Sequence, residues 1–321
     1  MNLQSTTHCT THSSICFLLI CFHLLFHCIN STMGGVRAAE WQRLPISLTE
    51  LCINTTLRCG QSFRWRKSGD DEWSCALHGR VLSFRQDPEF LYYRAIFPPN
   101  ASNSPEQDDT LALVKHYFNL GPNLVHMYDQ WAAADSNFKK RAPKFTGVRI
   151  LRQDPWEALI GFICSSNNNI SRISKMVHSL CVNYGPLIAH IGSEPYYDFP
   201  TPEALSDSKV EQHLMKLGFG YRAKYIYKTA AMVSKERGMA WLEGLCNPES
   251  PPFGVEPMPA GQLVEGGREG YRKAHGELLA LHGVGPKVAD CVCLMGLGWS
   301  ESVPIDTHGD VAFAQQLVKL Y

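Results

Sequence analysis

The stretch Leu278-Leu279-Ala280-Leu281-His282-Gly283-Val284-Gly285-Pro286-Lys287-Val288-Ala289-Asp290-Cys291 constrains this chain more than any other. An apolar helical run stops at Gly283-Val284-Gly285, and a second run starts at Pro286. Proline suits the first turn of a helix, where its missing N–H has no partner in any case. Two glycines allow a tight hairpin and let backbone come close to a ligand. The stretch therefore reads as helix, Gly-x-Gly hairpin, helix. The N–H groups of the hairpin and of the next helical turn point outward and form an anion site suited to a phosphate. Lys287 sits in that first turn, and Asp306 follows nineteen residues later in Val303-Pro304-Ile305-Asp306-Thr307-His308. Gly283-Val284-Gly285 alone would suit any helix–helix turn. Hairpin, lysine and downstream Pro-x-Asp together are much more specific.

A chain of 321 residues holds two domains, each with a sizeable core. With 45% hydrophobic and 19% charged residues it is globular rather than disordered. The formal net charge is zero, so the chain as a whole does not carry the footprint of a nucleic-acid binder. Charge is uneven, however: residues 139–175 hold eight basic residues (Lys139, Lys140, Arg141, Lys144, Arg149, Arg152, Arg172, Lys175) against Asp154 and Glu157. A local positive surface binds phosphate without a basic total, although a solvated helix face has the same composition. The twelve cysteines show no Cys-x-x-Cys pair of the zinc type and read as reduced thiols of an intracellular protein. Ile15 to Ile29 is strongly apolar, about the length of a signal-peptide core and short for a membrane span, yet no Lys or Arg precedes it. Residues 1–32 are expected to be an extension upstream of the native start, with Met33 as the alternative start and no membrane association.

From Trp41 the pattern is β-like. Runs at Ser62–Trp65, Trp73–Leu77, Val81–Phe84 and Phe90–Ile96 are aromatic and branched, and Gly69-Asp70-Asp71, His78-Gly79 and Asp87-Pro88 punctuate them. Helices are expected at Thr110–Leu120 and Asn123–Ala134, beyond a polar loop over Pro98–Asp109. This gives an antiparallel sheet domain over 41–152. A helical domain over 153–321 follows. Asp154-Pro155 caps and starts an all-round apolar helix, Trp156–Cys164, which is placed at the centre. Residues 203–245 give more helices, including Arg222–Leu245, and Tyr271–Leu281 enters the hairpin. Between them 247–268 is rich in proline and glycine and reads as a solvent-exposed insertion without regular structure. The fold class is α+β: an N-terminal antiparallel sheet with helices, then an all-α domain.

Several separate motifs resemble one family. Cys59-Gly60-Gln61-Ser62-Phe63-Arg64-Trp65, Cys164-Ser165-Ser166-Asn167-Asn168-Asn169-Ile170-Ser171-Arg172-Ile173, Gly218-Phe219-Gly220-Tyr221-Arg222 and the hairpin stretch are similar to eukaryotic 8-oxoguanine DNA glycosylase/AP lyases of the helix-hairpin-helix superfamily. The resemblance spans residues 43–308 and implies a TBP-like N-terminal domain before the helix-hairpin-helix glycosylase domain. It implies that the Gly60 carbonyl accepts a hydrogen bond from N7–H of the oxidised base, where normal guanine offers only an unmatched acceptor. Cys291 would pack against the flipped base, and Pro304 and Asp306 would line its pocket. Asn167, Arg172 and Arg222 would read the orphaned cytosine, with Tyr221 wedging the stack. Gly283, Gly285 and His308 would meet phosphates, and the carbonyls of Leu279, Leu281 and Val284 would seat a structural cation. Without the resemblance, three asparagines at a helix junction mean capping, and Tyr221-Arg222 is a helix start.

The resemblance implies no cofactor, a monomer, and as partner a duplex carrying 8-oxoguanine opposite cytosine, in the nucleus and also the mitochondrion. No cysteine follows Cys293, so the four-cysteine iron–sulfur loop of some relatives is not expected. Lys287 would attack C1′ as a neutral amine, which requires a pKa below its reference value of about 10.4. An imine and β-elimination follow, with Asp306 stabilising the developing cation. On residues alone, Lys287 is a surface lysine at a helix start and Asp306 the cap of a last helix. The family also continues past Asp-x-His with a glutamine and a phenylalanine that complete the pocket, whereas Gly309–Tyr321 does not match. One pocket wall is therefore expected to be missing. The alternative to an active enzyme is a truncated DNA-binding remnant. A monofunctional alkyl-base glycosylase is disfavoured, because such enzymes dispense with the lysine.

Overall fold

Five antiparallel strands form the first layer: β1 (Gln42–Pro45), β2 (Arg66–Ser68), β3 (Glu72–Leu77), β4 (Arg80–Gln86) and β5 (Phe90–Ile96), in the order β1-β5-β4-β3-β2. The computed structural model describes residues 40–69, 71–99 and 108–305. The expectations for residues 1–32 and for Gly309–Tyr321 lie outside these. No helix among the described residues is long and apolar enough to cross a membrane. Register aligns Trp73, Phe84 and Tyr93 across three strands, giving one aromatic face. The β3–β4 turn has positive φ at His78 (49°) and Gly79 (71°), the twist that a two-residue hairpin turn requires.

The aromatic face is covered by helices α1 (Ile53–Thr56) and α2 (Thr110–Tyr117) together with Leu51, Phe118 and Leu151. The other face is covered by a hairpin that the sequence reading did not contain, β6 (Leu187–Ile191) and β7 (Glu194–Tyr197), which packs Ile188, Ala189 and Tyr196 on Ala76, Val81 and Ile96. A register shift between Leu187 and Ala189 breaks the alternation that would have marked the strand. With both faces covered, every residue of β3 is buried.

Two expected elements need correction. Ser62–Trp65 is not a strand; pairing begins at Arg66, because the side chains before it are directed into tertiary contacts. The helix expected over Arg222–Leu245 is split in three. After α3 (Leu124–Ala134), α4 (Ser136–Arg141), α5 (Pro155–Ser165), α6 (Ile170–Tyr184), α7 (Pro202–Leu205) and α8 (Ser208–Lys216) come α9 (Arg222–Ala231), a π-helical turn Met232–Arg237 and α10 (Met239–Glu243). Gly238, at φ 81°, donates its N–H five residues back to the Val233 carbonyl at 2.8 Å, which ends the helix. The helix expected from Asn123 starts one residue later, with Asn123 as its cap.

Helix α5 is central, as its composition predicts. It is capped by Asp154, which accepts the Glu157 N–H at 2.8 Å, and Pro155 through Cys164 are all buried. The 247–268 segment contains no regular element, but its first part is not free solvent-exposed chain. Asn247 donates from Nδ2 to the Gly298 carbonyl at 2.9 Å, and the buried Arg152 guanidinium reaches the carbonyls of Ser250 and Pro251. Phe253 sits 5.6 Å from each of the His78 and His116 rings. Residues 247–253 are thus a strap across the sheet and helical halves, in which Glu249 is exposed, and a continuous exposed run begins at Gly254.

Candidate nucleic-acid interface and active site

Helices α11 (Glu269–Leu279) and α12 (Pro286–Met295) flank the expected hairpin. Gly283 has φ 81°, and a Cβ there would fall 2.7 Å from the Tyr225 ring, so conformation and packing both require glycine. Thr229 Oγ1 donates to the His282 carbonyl at 3.0 Å and pins the hairpin to α9. Gly285 is different. Its φ is −97°, and nothing among the described residues lies within 4 Å of the Cβ it lacks. The fold does not demand glycine there; close approach of an outside group does. Gly285 also caps α12 without a side-chain acceptor, so the first-turn N–H groups remain available for an anion.

Lys287 is half-buried in that first turn. Cys291, in no disulfide and 5% exposed, follows one helical turn later on the same face. Pro304 is half-buried at the end of the described chain, and Asp306 and His308 lie outside the described residues. The carbonyls of Leu279, Leu281 and Val284 belong to this hairpin, and that of Leu281 accepts the Val284 N–H at 3.3 Å. Among the described residues no cluster of three His, Cys, Asp or Glu exists to hold a metal. Backbone carbonyl oxygens are donors of the kind that suits a hard cation.

The triple-asparagine junction divides its labour. Asn168 donates from Nδ2 to the Cys164 carbonyl at 2.9 Å, and Asn169 caps α6 by accepting the Arg172 N–H at 2.9 Å. Asn167 is exposed at φ 47°, a left-handed conformation that asparagine tolerates. Arg172 is exposed, with one N–H reaching the Gly218 carbonyl at 3.3 Å. Tyr221 is half-exposed and donates to the Ser166 carbonyl at 3.0 Å. Arg222, expected among the outward-facing side chains, is 2% exposed in this structure. Its guanidinium donates to the carbonyls of Ser166 and Asn167 and lies 4.5 Å from the Tyr221 ring centre, bracing the loop that presents Asn167.

Gly60 has φ 91°, and a Cβ there would meet Ile170 at 3.2 Å, so it lies against the first residue of α6. The next residue holds it in place. Gln61 donates to the Arg149 carbonyl at 2.8 Å and accepts the Leu151 N–H at 2.9 Å, while its own carbonyl accepts from Gln153 at 2.8 Å. Arg149 and Arg152, counted as local positive charge in the sequence, are buried, whereas Lys139, Lys140, Arg141, Lys144, Arg172 and Lys175 are exposed. Sequence reasoning also missed Tyr225. Its ring meets Tyr221 edge-on at 5.7 Å and backs onto Gly283, so it joins the loop cluster to the hairpin. No spacing rule marks such a residue.

An uncapped helix start behind a Gly-x-Gly hairpin, a lysine in its first turn and a loop presenting asparagine and arginine fit a DNA glycosylase of the helix-hairpin-helix class. Residues 43–159 match the family described as the 8-oxoguanine DNA glycosylase N-terminal domain, and residues 160–309 match the HhH-GPD superfamily of base excision DNA repair proteins. The chain is 38% identical to the N-glycosylase/DNA lyase of Saccharomyces cerevisiae over 289 residues, covering 84% of this chain and 69% of that protein. It is 35% identical to the N-glycosylase/DNA lyase OGG1 of Arabidopsis thaliana, covering 84% and 67%. A solved structure of MBOgg1 in complex with a low-affinity DNA ligand superposes with a TM-score of 0.66 at 26% identity, covering 89% of this chain and 86% of that one. The chain belongs to the 8-oxoguanine DNA glycosylase family of N-glycosylase/DNA lyases and is a bifunctional base excision repair enzyme.

Proposed function

We propose that this enzyme removes 8-oxoguanine paired with cytosine from duplex DNA and cleaves the resulting strand through an imine on Lys287. The observation that carries the reading is the placement of Lys287. It stands in the first turn of α12, behind a hairpin whose Gly285 has no internal reason to be glycine, on one face with the buried Cys291.

The duplex phosphate docks on the hairpin N–H groups, and the target base leaves the stack, as base chemistry requires. Asn167 and Arg172 face the orphaned cytosine from the loop that Arg222 braces, and Tyr221 wedges the stack. Gly60 offers its carbonyl to N7–H of the oxidised base. The Lys287 amine, in its neutral form, attacks C1′. The glycosidic bond breaks with its electron pair leaving on the base, which takes up a proton. The amine then loses a proton, the C1′–O4′ bond opens, and O4′ is protonated, which leaves an imine. Loss of a proton from C2′ expels the 3′ phosphate, and water releases the lysine. Asp306 stabilises the positive charge at C1′ and moves protons. The hairpin carbonyls of Leu279, Leu281 and Val284 would hold a cation, which would supply positive charge against the backbone phosphate. The same reading takes the enzyme to be a monomer acting in the nucleus and mitochondrion.

Borohydride trapping tests this. The parent protein on a duplex with 8-oxoguanine opposite cytosine is expected to give a covalent adduct, and Lys287→Gln to give none. An adduct on an abasic site but not on 8-oxoguanine leaves the lyase and removes the base assignment. Binding without any adduct overturns the mechanism.

A further inference from the structure

Asp290 lies between the two reactive positions of α12, three residues after Lys287 and immediately before Cys291. Three side chains from two other parts of the chain converge on its Oδ1. Tyr271 of α11 donates its hydroxyl at 3.0 Å, Ser302 donates at 3.1 Å, and His275 Nε2 of α11 stands at 3.3 Å. The Ser302 hydroxyl also lies 3.0 Å from the Asp290 main-chain carbonyl. The group is largely enclosed, with the Asp290 side chain 16% exposed and Ser302 2% exposed. Burial first, and then the charge of Asp290, push the Tyr271 hydroxyl and the Cys293 thiol up. The structural requirement is modest: a helix pair needs only apolar contact at this crossing. An enclosed carboxylate with two hydroxyl donors and an imidazole beside it fixes orientation as well as proximity.

We propose that Asp290 is a positioning residue for the reaction, fastening the helix that carries Lys287 to the segment that carries Asp306. The reach is short. Asp306 follows Ser302 by four residues, and four extended residues span at most about 14 Å. Fixing Ser302 to α12 therefore fixes one end of the acid's tether relative to the amine. Tyr271 and His275 hold the same carboxylate from the helix that enters the hairpin, so the phosphate site, the amine and the start of the acidic segment share one anchor. The inference rests on the proposed reading of Lys287 and Asp306 as the reacting pair.

The test uses the full chain with Asp290→Ala, Asp290→Asn and Ser302→Ala. Readouts are the single-turnover excision rate on 8-oxoguanine opposite cytosine, the Kd for the same duplex, and the melting temperature. Asp290→Ala and Ser302→Ala are expected to slow excision about 10- to 100-fold, the cost of a small misplacement of reacting groups, with Kd within about 3-fold of the parent. Asp290→Asn keeps an acceptor oxygen for the two hydroxyls and is expected to recover most of the rate. Ser302→Ala covers the case in which Asp290→Ala does not fold. Excision within about 2-fold of the parent in folded Ser302→Ala overturns the inference, as does a rate loss matched by an equal loss in Kd. A parent that neither excises nor traps fails at the earlier reading, before any variant is compared.

Discussion

The guanidinium of Arg64 lies 2.6 Å from the Glu157 carboxylate, with both side chains buried. The same guanidinium donates to the Ala76 carbonyl at 2.6 Å, the Tyr197 carbonyl at 3.1 Å and Asp198 at 3.2 Å. One side chain thereby joins strand β3, the end of β7 and the central helix α5. Burial opposes the charge on Arg64, but Glu157 holds it charged, and its pKa stands well above the usual arginine range. Burial pushes the Glu157 carboxyl up, and Arg64 opposes that shift. Glu157→Ala leaves the buried guanidinium with only Asp198, at 3.2 Å, as counter-ion and is expected to cost about 3 kcal/mol. The double variant Arg64→Met/Glu157→Leu is expected to recover a large part of that loss. Urea unfolding at neutral pH measures both, and an unchanged midpoint for Glu157→Ala would show that the pair does not join the layers.

The two hairpin glycines are expected to behave oppositely. Gly283→Ala places a Cβ in a left-handed backbone 2.7 Å from the Tyr225 ring. It should destabilise the protein by about 1–3 kcal/mol and displace the hairpin. Gly285→Ala meets open space at φ −97°, so its melting temperature should stay within a degree or so of the parent. Its affinity for duplex should nevertheless fall, because the added methyl stands where phosphate approaches. Equal affinity for Gly285→Ala and parent would remove the hairpin from the DNA-binding surface.

This contrast shows how much of the site was legible in sequence. Proline after glycine, with a lysine next, sets a helix start through local chemistry alone, and the structure begins the helix at Pro286 with Gly285 as a cap that has no side-chain acceptor. The central helix was equally plain, since after Glu157 nothing charged interrupts its apolar run. Phe63, Arg64 and Trp65 were read as part of a strand because their composition is β-like. Their partners are Phe162, Glu157 and Tyr117, 52 to 99 residues away, and no local pattern encodes that pairing. The buried guanidiniums of Arg149 and Arg152 misled the charge count for the same reason. The β6–β7 hairpin escaped because its bulge broke the period that marks a strand.

Arg172 and Arg222, proposed above to serve one recognition loop, should separate experimentally. Arg172 is exposed, so Arg172→Ala should leave stability within about 0.5 kcal/mol while weakening discrimination for cytosine opposite the lesion. Arg222 braces the carbonyls of Ser166 and Asn167 from a buried position. Arg222→Ala should cost about 1–3 kcal/mol by leaving those acceptors unmet, and should weaken binding through the loop. Melting curves and duplex titrations with each of the four opposing bases check both. A destabilised Arg172→Ala beside a stable Arg222→Ala would reverse the assignment.

His116 gives the protein an acid-sensitive seam at the strap. Its ring lies 5.6 Å from Phe253, and burial lowers its pKa to about 4, with Arg152 and His78 adding positive charge nearby. The folded protein thus holds His116 neutral over a range in which the unfolded chain, with a pKa near 6.5, takes up a proton. Because the folded pKa is depressed, the contribution is fully present above about pH 6.5. It is lost progressively as pH falls toward 4 and does not grow below that. After allowance for partial exposure the loss is on the order of 2 kcal/mol. His116→Gln removes the titration while keeping a polar side chain of similar reach. Between pH 7.5 and 5 the parent should therefore lose more melting temperature than this variant, and the difference should close again when both are compared above pH 7. Parallel pH profiles for the two proteins would place the acid sensitivity elsewhere, on the carboxylates that both share.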